Sequence, residues 1–187
     1  MPPKVKVTNE DIVRTAVEIV REQGSQALNA RAIAAVLGCS TQPIFSNFAT
    51  MDELRTAVIQ QADARYQEYI RREIENGEYP PYKAGGVGYI RFAKEEKELF
   101  KLLYMCDRTG EDIPSDTQSF TQMADMISQS MGVDDETARL FHLEMWAYVH
   151  GIATMFATRF LDLDWALVSK MLSDVYQGLR KQYGMEG

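Results

Sequence analysis

Cysteine and histidine are scarce, with two of each in 187 residues. Cys39 and Cys106 stand alone in apolar surroundings, so neither a disulfide framework nor a zinc cluster can be built from them. A reducing cytoplasm is the expected setting. His142 and His150 lie eight apart, which on a helix turns them about 80° from each other. No carboxylate stands at the pitch of a metal triad and Glu144 points elsewhere, so no metal and no cofactor is expected. Cys106 and His142 could be pictured as nucleophile and base, but no oxyanion-forming turn or third orienting residue accompanies them, and no enzyme is expected. Long apolar runs are missing as well: nothing approaches the roughly 20 residues of a membrane span. The opening MPPKVKVTNED lacks a signal-peptide core, which argues against export. Period-2 strand patterns, internal repeats and low-complexity tracts are also absent.

Charge is plentiful and unevenly spread. The chain carries a net −7. Residues 1–50 hold five Lys/Arg against four acids, giving +1, and the remaining 137 hold 15 against 23, giving −8. The first segment can approach phosphates while the rest repels them and sets orientation.

Spacings of three and four recur throughout and predict an all-α chain of about nine helices. Thr8 or Asn9 can cap a first helix with Ile12, Val13, Ala16, Ile19 and Val20 inward and Gly24 as its stop. Asn29 can cap a second, Ala30 to Leu37, with Ile33, Ala34 and Leu37 inward, ended by Gly38. Ser40 is expected to cap a third of about two turns, with Pro43 in its first turn. Thr50 to Glu53 reads as a capping box opening a fourth helix to about Glu75. Beyond the break ENGEYPPY, helices are expected over Tyr82–Glu95 and Lys97–Asp107, then a loop RTGEDIPSD, then a helix capped by Ser115 over Asp116–Ser130. Two more follow: one from Asp134 or Asp135 to about Leu161, and one from Asp164 to about Tyr183. Residues 1–50 read as a small helix-turn-helix bundle and 51–187 as a larger helical one.

The tight link Gly38-Cys39-Ser40 has the form of a helix-turn-helix, whose second helix enters a major groove about 12 Å wide. Ile44 and Phe48 can pack inward and leave Thr41, Gln42, Pro43, Ser46 and Asn47 outward. Gln42 can pair with adenine, the Thr41 methyl can touch thymine, and Ser46 can reach phosphate. The same composition also suits a short polar helix that merely covers the first.

Residues 8–54 resemble the N-terminal domain of the TetR family of bacterial transcriptional regulators. The resemblance rests on AVEIVREQG, LNARAIAAVLGCS, IFSNF and MDEL, with Gly24, Ile33, Ala34, Gly38, Phe45 and Phe48 in register. It implies a recognition surface of Ser40, Thr41, Gln42, Pro43, Phe45, Ser46 and Asn47, with Asn29 and Arg31 near the DNA backbone. Phe45 stands where the family usually has Tyr, and Met51 where it usually has Lys. Both departures remove phosphate contacts and imply a weaker sequence-independent affinity.

A second resemblance covers YKAGGVGYIRFAKEEKELFKLLYMCD (82–107) and WAYVHG (146–151). They resemble a TetR subgroup with a Trp-x-x-x-His-Gly C-terminal domain, although Lys97 replaces a frequent proline. The larger half is rich in side chains that fit an adaptable cavity: Phe92, Phe100, Leu103, Met123, Met126, Ile127, Met145, Trp146 and Val149, with Tyr66, Tyr69, Tyr89, Tyr104 and His150 as polar handles. The same residues can equally form an ordinary core, with His150 hydrogen-bonded near Trp146 and Gly151 admitting a close helix. Met155, Phe156 and Phe160, together with Trp165, Val168, Met171, Leu172, Val175, Tyr176 and Leu179, exceed what one helix pair can hide. The resemblance implies that they form a dimer interface, as a paired half-site reader requires.

The expectation is a cytoplasmic homodimer that binds a double-stranded DNA operator, with no membrane partner. It would act as a repressor released by a small apolar or amphipathic effector. The alternatives are a helical interaction module that has lost DNA binding and an enzyme acting on an apolar substrate.

Overall fold

Thr8 opens the first helix of the computed structural model, which describes residues 7–106 and 114–185, the side chains of 114–119 excepted. Its hydroxyl accepts from the Asp11 amide at 3.1 Å, while the Asp11 carboxylate accepts from the Thr8 amide at 3.2 Å. Two donors at the helix end are thereby satisfied reciprocally. The described residues form nine α-helices, one 3-10 turn at Ser25–Ala27 and no strand: α1 Asn9–Gln23, α2 Ala30–Leu37, α3 Gln42–Asn47, α4 Met51–Asn76, α5 Pro81–Glu95, α6 Lys97–Tyr104, α7 Pro114–Met131, α8 Asp135–Ala157 and α9 Trp165–Gln182. The all-α expectation holds. Among the described residues no helix is long and apolar enough to cross a membrane.

Several boundaries differ from expectation for local reasons. Thr41, not Ser40, is the N-cap of α3, and it makes no side-chain capping bond. Proline in the first turn lacks an N–H, so less capping is needed there. In α1, Val17 is buried and Val13 only half-buried, because the helix packs on α2, α4 and α6 and so hides a wider stripe. Leu37 is half-buried at the end of α2. The Glu53 carboxylate reaches the Ala49 amide at 2.6 Å rather than that of Thr50. Helix α6 stops at Tyr104, short of Asp107, and α7 already includes Pro114 and Ser115. The stretch 108–113 of the expected loop lies outside the described residues.

Helix α8 ends at Ala157, four residues before the expected Leu161. Arg159 adopts φ +58°, and the Phe160 and Arg159 amides donate back to the Met155 and Phe156 carbonyls at 3.0 and 3.1 Å. This is a Schellman closure with arginine where glycine is usual.

One apolar cluster runs from Ile12 and Val20 in α1 through Leu54 and Val58 in α4, Ile90 and Phe92 in α5 and Phe100 in α6 to Leu172 in α9. A second joins Ile127, Phe141 and Met145 with Met185. The long α4 passes beneath α5 at Gly88, where a Cβ would stand 3.0 Å from the Ile70 Cα and the Tyr69 carbonyl. Only glycine permits that separation.

Candidate nucleic-acid interface and effector core

The turn between α2 and α3 is closed by Gly38 at φ +64°, with the Cys39 amide donating to the Ala34 carbonyl at 3.0 Å. The left-handed conformation suits glycine and turns the chain into α3 within three residues. Ile44 is 0% exposed and Phe48 4%, so α3 is anchored by one face. Ser40, Gln42, Ser46 and Phe45, the last 49% exposed, face solvent, and Thr41, Pro43 and Asn47 are half-buried. The Ser46 hydroxyl donates to the Gln42 carbonyl at 2.9 Å, and the Asn47 amide to the Pro43 carbonyl at 2.8 Å. Ser46 must give up that bond to donate to a phosphate, Asn47 keeps a second N–H and its Oδ1, and Gln42 makes no side-chain hydrogen bond among the described residues.

Asn29 is occupied structurally. Its side chain accepts from the Arg31 and Ala32 amides at 3.1 and 3.0 Å and donates to the Ala27 carbonyl. Arg31 is exposed at the N-terminus of α2, with no ion-pair partner among the described residues. Met51 is half-buried against the core rather than presented to solvent.

The residues assigned from the sequence to an effector pocket fall into two groups. Tyr66, Tyr69, Tyr89, Phe92, Phe100, Leu103, Tyr104, Val149 and His150 gather where α4, α5, α6 and α8 meet. Tyr89 packs edge-on against Tyr66 at 5.7 Å and Phe100 at 5.4 Å, and its hydroxyl meets His150 Nδ1 at 2.8 Å. His150 stacks on Trp146 at 5.0 Å and 14°, and burial lowers its pKa. The expected packed histidine beside Trp146 is therefore present. Met123, Ile127 and Met145 belong instead to the second cluster between α7 and α8, and Met126 is exposed. Periodicity selects apolar faces but not which neighbour each face meets.

The last two helices also need correction. Phe156, Val168 and Leu172 are buried inside the protomer and cannot present a dimer face. Trp165 is half-buried, its ring capped by the Arg91 guanidinium at 4.6 Å. Met155 and Met171 are half-buried, and Val175, Tyr176 and Leu179 pack on the second cluster. Only Phe160, 75% exposed, projects outward from the assigned set. Leu140, Leu143 and Trp146 form a more exposed apolar row on α8. A Cβ at Gly151 or Gly178 would meet nothing within 4 Å, so the close approach expected at Gly151 is not made within the protomer.

One residue escaped the sequence reading. Glu96 lies between α5 and α6, its side chain 4% exposed, and receives Arg21 Nε at 2.7 Å, Arg21 Nη2 at 2.9 Å and Arg65 Nε at 2.8 Å. These bonds raise the pKa of Arg21. A polar cleft of about 380 Å³, lined by Glu22, Glu95, Lys97 and Arg159 among others, opens beside it. Within the run KEEKE, nothing marks one glutamate as buried, because its partners lie 75 and 31 residues away.

Comparison with known proteins bears on the fold. Residues 82–174 match the family described as tetracyclin repressor-like, C-terminal domain. The fold is similar to that of a TetR-like transcriptional regulator from Rhodococcus sp. RHA1, with TM-score 0.69 and 18% identity over 98% of this chain and 99% of that one. It is also similar to a proposed regulatory protein, SCO4313, with TM-score 0.67 and 21% identity over 89% and 93% of the two chains. No curated protein matches by sequence. Over residues 82–174 the chain is thus similar to tetracyclin repressor-like C-terminal domains, and over its length it shares the fold of these two solved structures.

Proposed function

We propose that the protein is a homodimeric, DNA-binding transcriptional repressor, released from its operator by a small apolar or amphipathic effector. The observation that carries this reading is the short α3 helix, anchored by Ile44 and Phe48, with Gln42 and Ser46 toward solvent and Asn47 half-buried beside them. An outward polar helix behind a glycine turn has the dimensions and donor set for a major groove. Gln42 and Asn47 read base edges, Ser46 and Arg31 meet phosphates, and the acidic remainder of the chain faces away from DNA.

The aromatic cluster around Tyr89 and His150 receives the effector, with tyrosine hydroxyls and the imidazole orienting its polar end. The match of WAYVHG to a Trp-x-x-x-His-Gly subgroup supports this, since Trp146 and His150 are stacked and Gly151 follows them. Affinity for DNA falls only as far as the effector prefers the non-binding arrangement. A coupling of about 1–3 kcal/mol corresponds to roughly five-fold to 150-fold. The dimer uses the open face of α8 and α9, where Gly151 and Gly178 leave room for a neighbouring helix.

A second reading, an interaction module without DNA binding, is favoured by two observations: Phe45 presents no hydroxyl and Met51 no charge. A mobility-shift assay on the upstream region of the protein's own gene separates the two. A shift at low salt that is lost on Gln42→Ala with Asn47→Ala, while dimerisation persists, supports the repressor. No shift with any genomic fragment supports the module.

A further inference from the structure

Glu96 joins three elements at one carboxylate. Arg21 comes from the last turns of α1, which carries the helix-turn-helix, and binds it through two nitrogens. Arg65 comes from the middle of α4, with Nη2 also 2.6 Å from the same oxygen that its Nε meets. Glu96 itself is the hinge between α5 and α6, at φ −113° and ψ +51°, outside the helical region. Its amide still donates to the Phe92 carbonyl at 2.7 Å, and its carbonyl accepts from the Phe100 amide at 2.8 Å. The backbone bonds on either side therefore run straight to the two phenylalanines of the aromatic cluster. Gly24, at the end of α1, lies against Glu98 two residues further on: a Cβ there would be 3.2 Å from the Glu98 carboxylate.

A shift of α5 against α6 is concentrated at residue 96, because the helices on both sides are hydrogen-bonded up to it. The side chain at that point is the one holding α1 and α4. A buried carboxylate held by two guanidiniums is directional, and removing the carboxylate releases both partners at once. We propose that Glu96 is the positioning residue that couples the aromatic core to the orientation of the helix-turn-helix, by clamping Arg21 and Arg65 across the α5–α6 hinge. The regulatory part of this inference rests on the repressor reading; the mechanical part does not.

The test is hydrogen exchange on the full chain, comparing wild type with Glu96→Gln, Arg21→Gln and the double variant. Loss of charge-assisted bonds should speed exchange of α1–α3 amides about tenfold or more relative to those of α5 and α8. The double variant should be no faster than Glu96→Gln alone, because both remove one clamp. Wild-type rates in α1–α3, additive effects, or equal loss of protection in α5 and α8 would overturn the clamp. If Glu96→Gln does not fold, Arg21→Gln decides, since Arg21 is partly exposed and its replacement leaves the Glu96–Arg65 pair in place. On a duplex that wild type binds, Glu96→Gln should weaken binding about five-fold or more, with an unchanged salt slope. Unchanged affinity would overturn the coupling to DNA. A wild type that binds no DNA refutes the repressor reading, and the exchange rates still decide the clamp.

Discussion

His142 shows what burial does to a single group. Its ring lies against Phe120 at 4.5 Å, its Nδ1 meets the Tyr82 hydroxyl at 3.0 Å, and burial pushes its pKa down to about 4. In the unfolded chain the ordinary value is about 6.5. Between those values the unfolded state binds the proton and the folded state does not, so stability is intact above about pH 6.5 and declines as pH falls toward 4. Thermal melts should show this decline in wild type and a shallower one in His142→Phe; identical slopes would place the proton uptake elsewhere. The environment of His142 could not be read from its neighbours in sequence, since Phe120 and Tyr82 are 22 and 60 positions away. Caps were legible for the opposite reason. Thr8, Asn29, Asp134 and Asp164 each bond amides two or three residues on, and the sequence displays both partners.

Among the elements, α4 carries the largest share of the architecture, reaching from the helix-turn-helix to the aromatic cluster and crossing α5 at Gly88. The crossing leaves no room for a methyl group against the α4 backbone, which cannot step aside as a side chain end can. Gly88→Ala should cost about 1–3 kcal/mol in denaturant unfolding, despite the better helix propensity of alanine. A neutral or stabilising result would show that α4 slides freely past α5. Helix identity was readable along nearly the whole chain because the apolar spacing of each segment is its own property. Which helices touch was less so. Met145 and Val149 lie one turn apart on α8 yet join different clusters, because α7 covers one and α5 the other. The early end of α8 is a further case, since nothing in MFATRF announces an arginine in the left-handed region.

At the scale of the whole molecule, the proposed dimer is the feature to test. The open positions at Gly151 and Gly178 and the row Leu140, Leu143 and Trp146 are features of one protomer that a second copy would complete. A Cβ at Gly151 would meet no atom of its own chain within 4 Å, so Gly151→Arg should leave the melting temperature of the protomer nearly unchanged while converting the proposed dimer to monomer in sedimentation. A persistent dimer would move the interface to another face. Of the apolar residues on the last two helices that the sequence suggested for a dimer face, Phe156, Val168 and Leu172 are interior and Phe160 is exposed, because periodicity cannot tell an inward stripe from an outward one.

The unbroken run of packed side chains from Ile12 to Leu172 bears on how such proteins can be recombined. A hybrid made by cutting at residue 50 and splicing the front to a foreign bundle would strip the underside of α1 of its seat on α6 and strand Arg21 without its carboxylate. The helix-turn-helix and the bundle behind it are therefore not interchangeable cassettes in this molecule. A swap must transplant the seam along with α1–α3, or else redesign it.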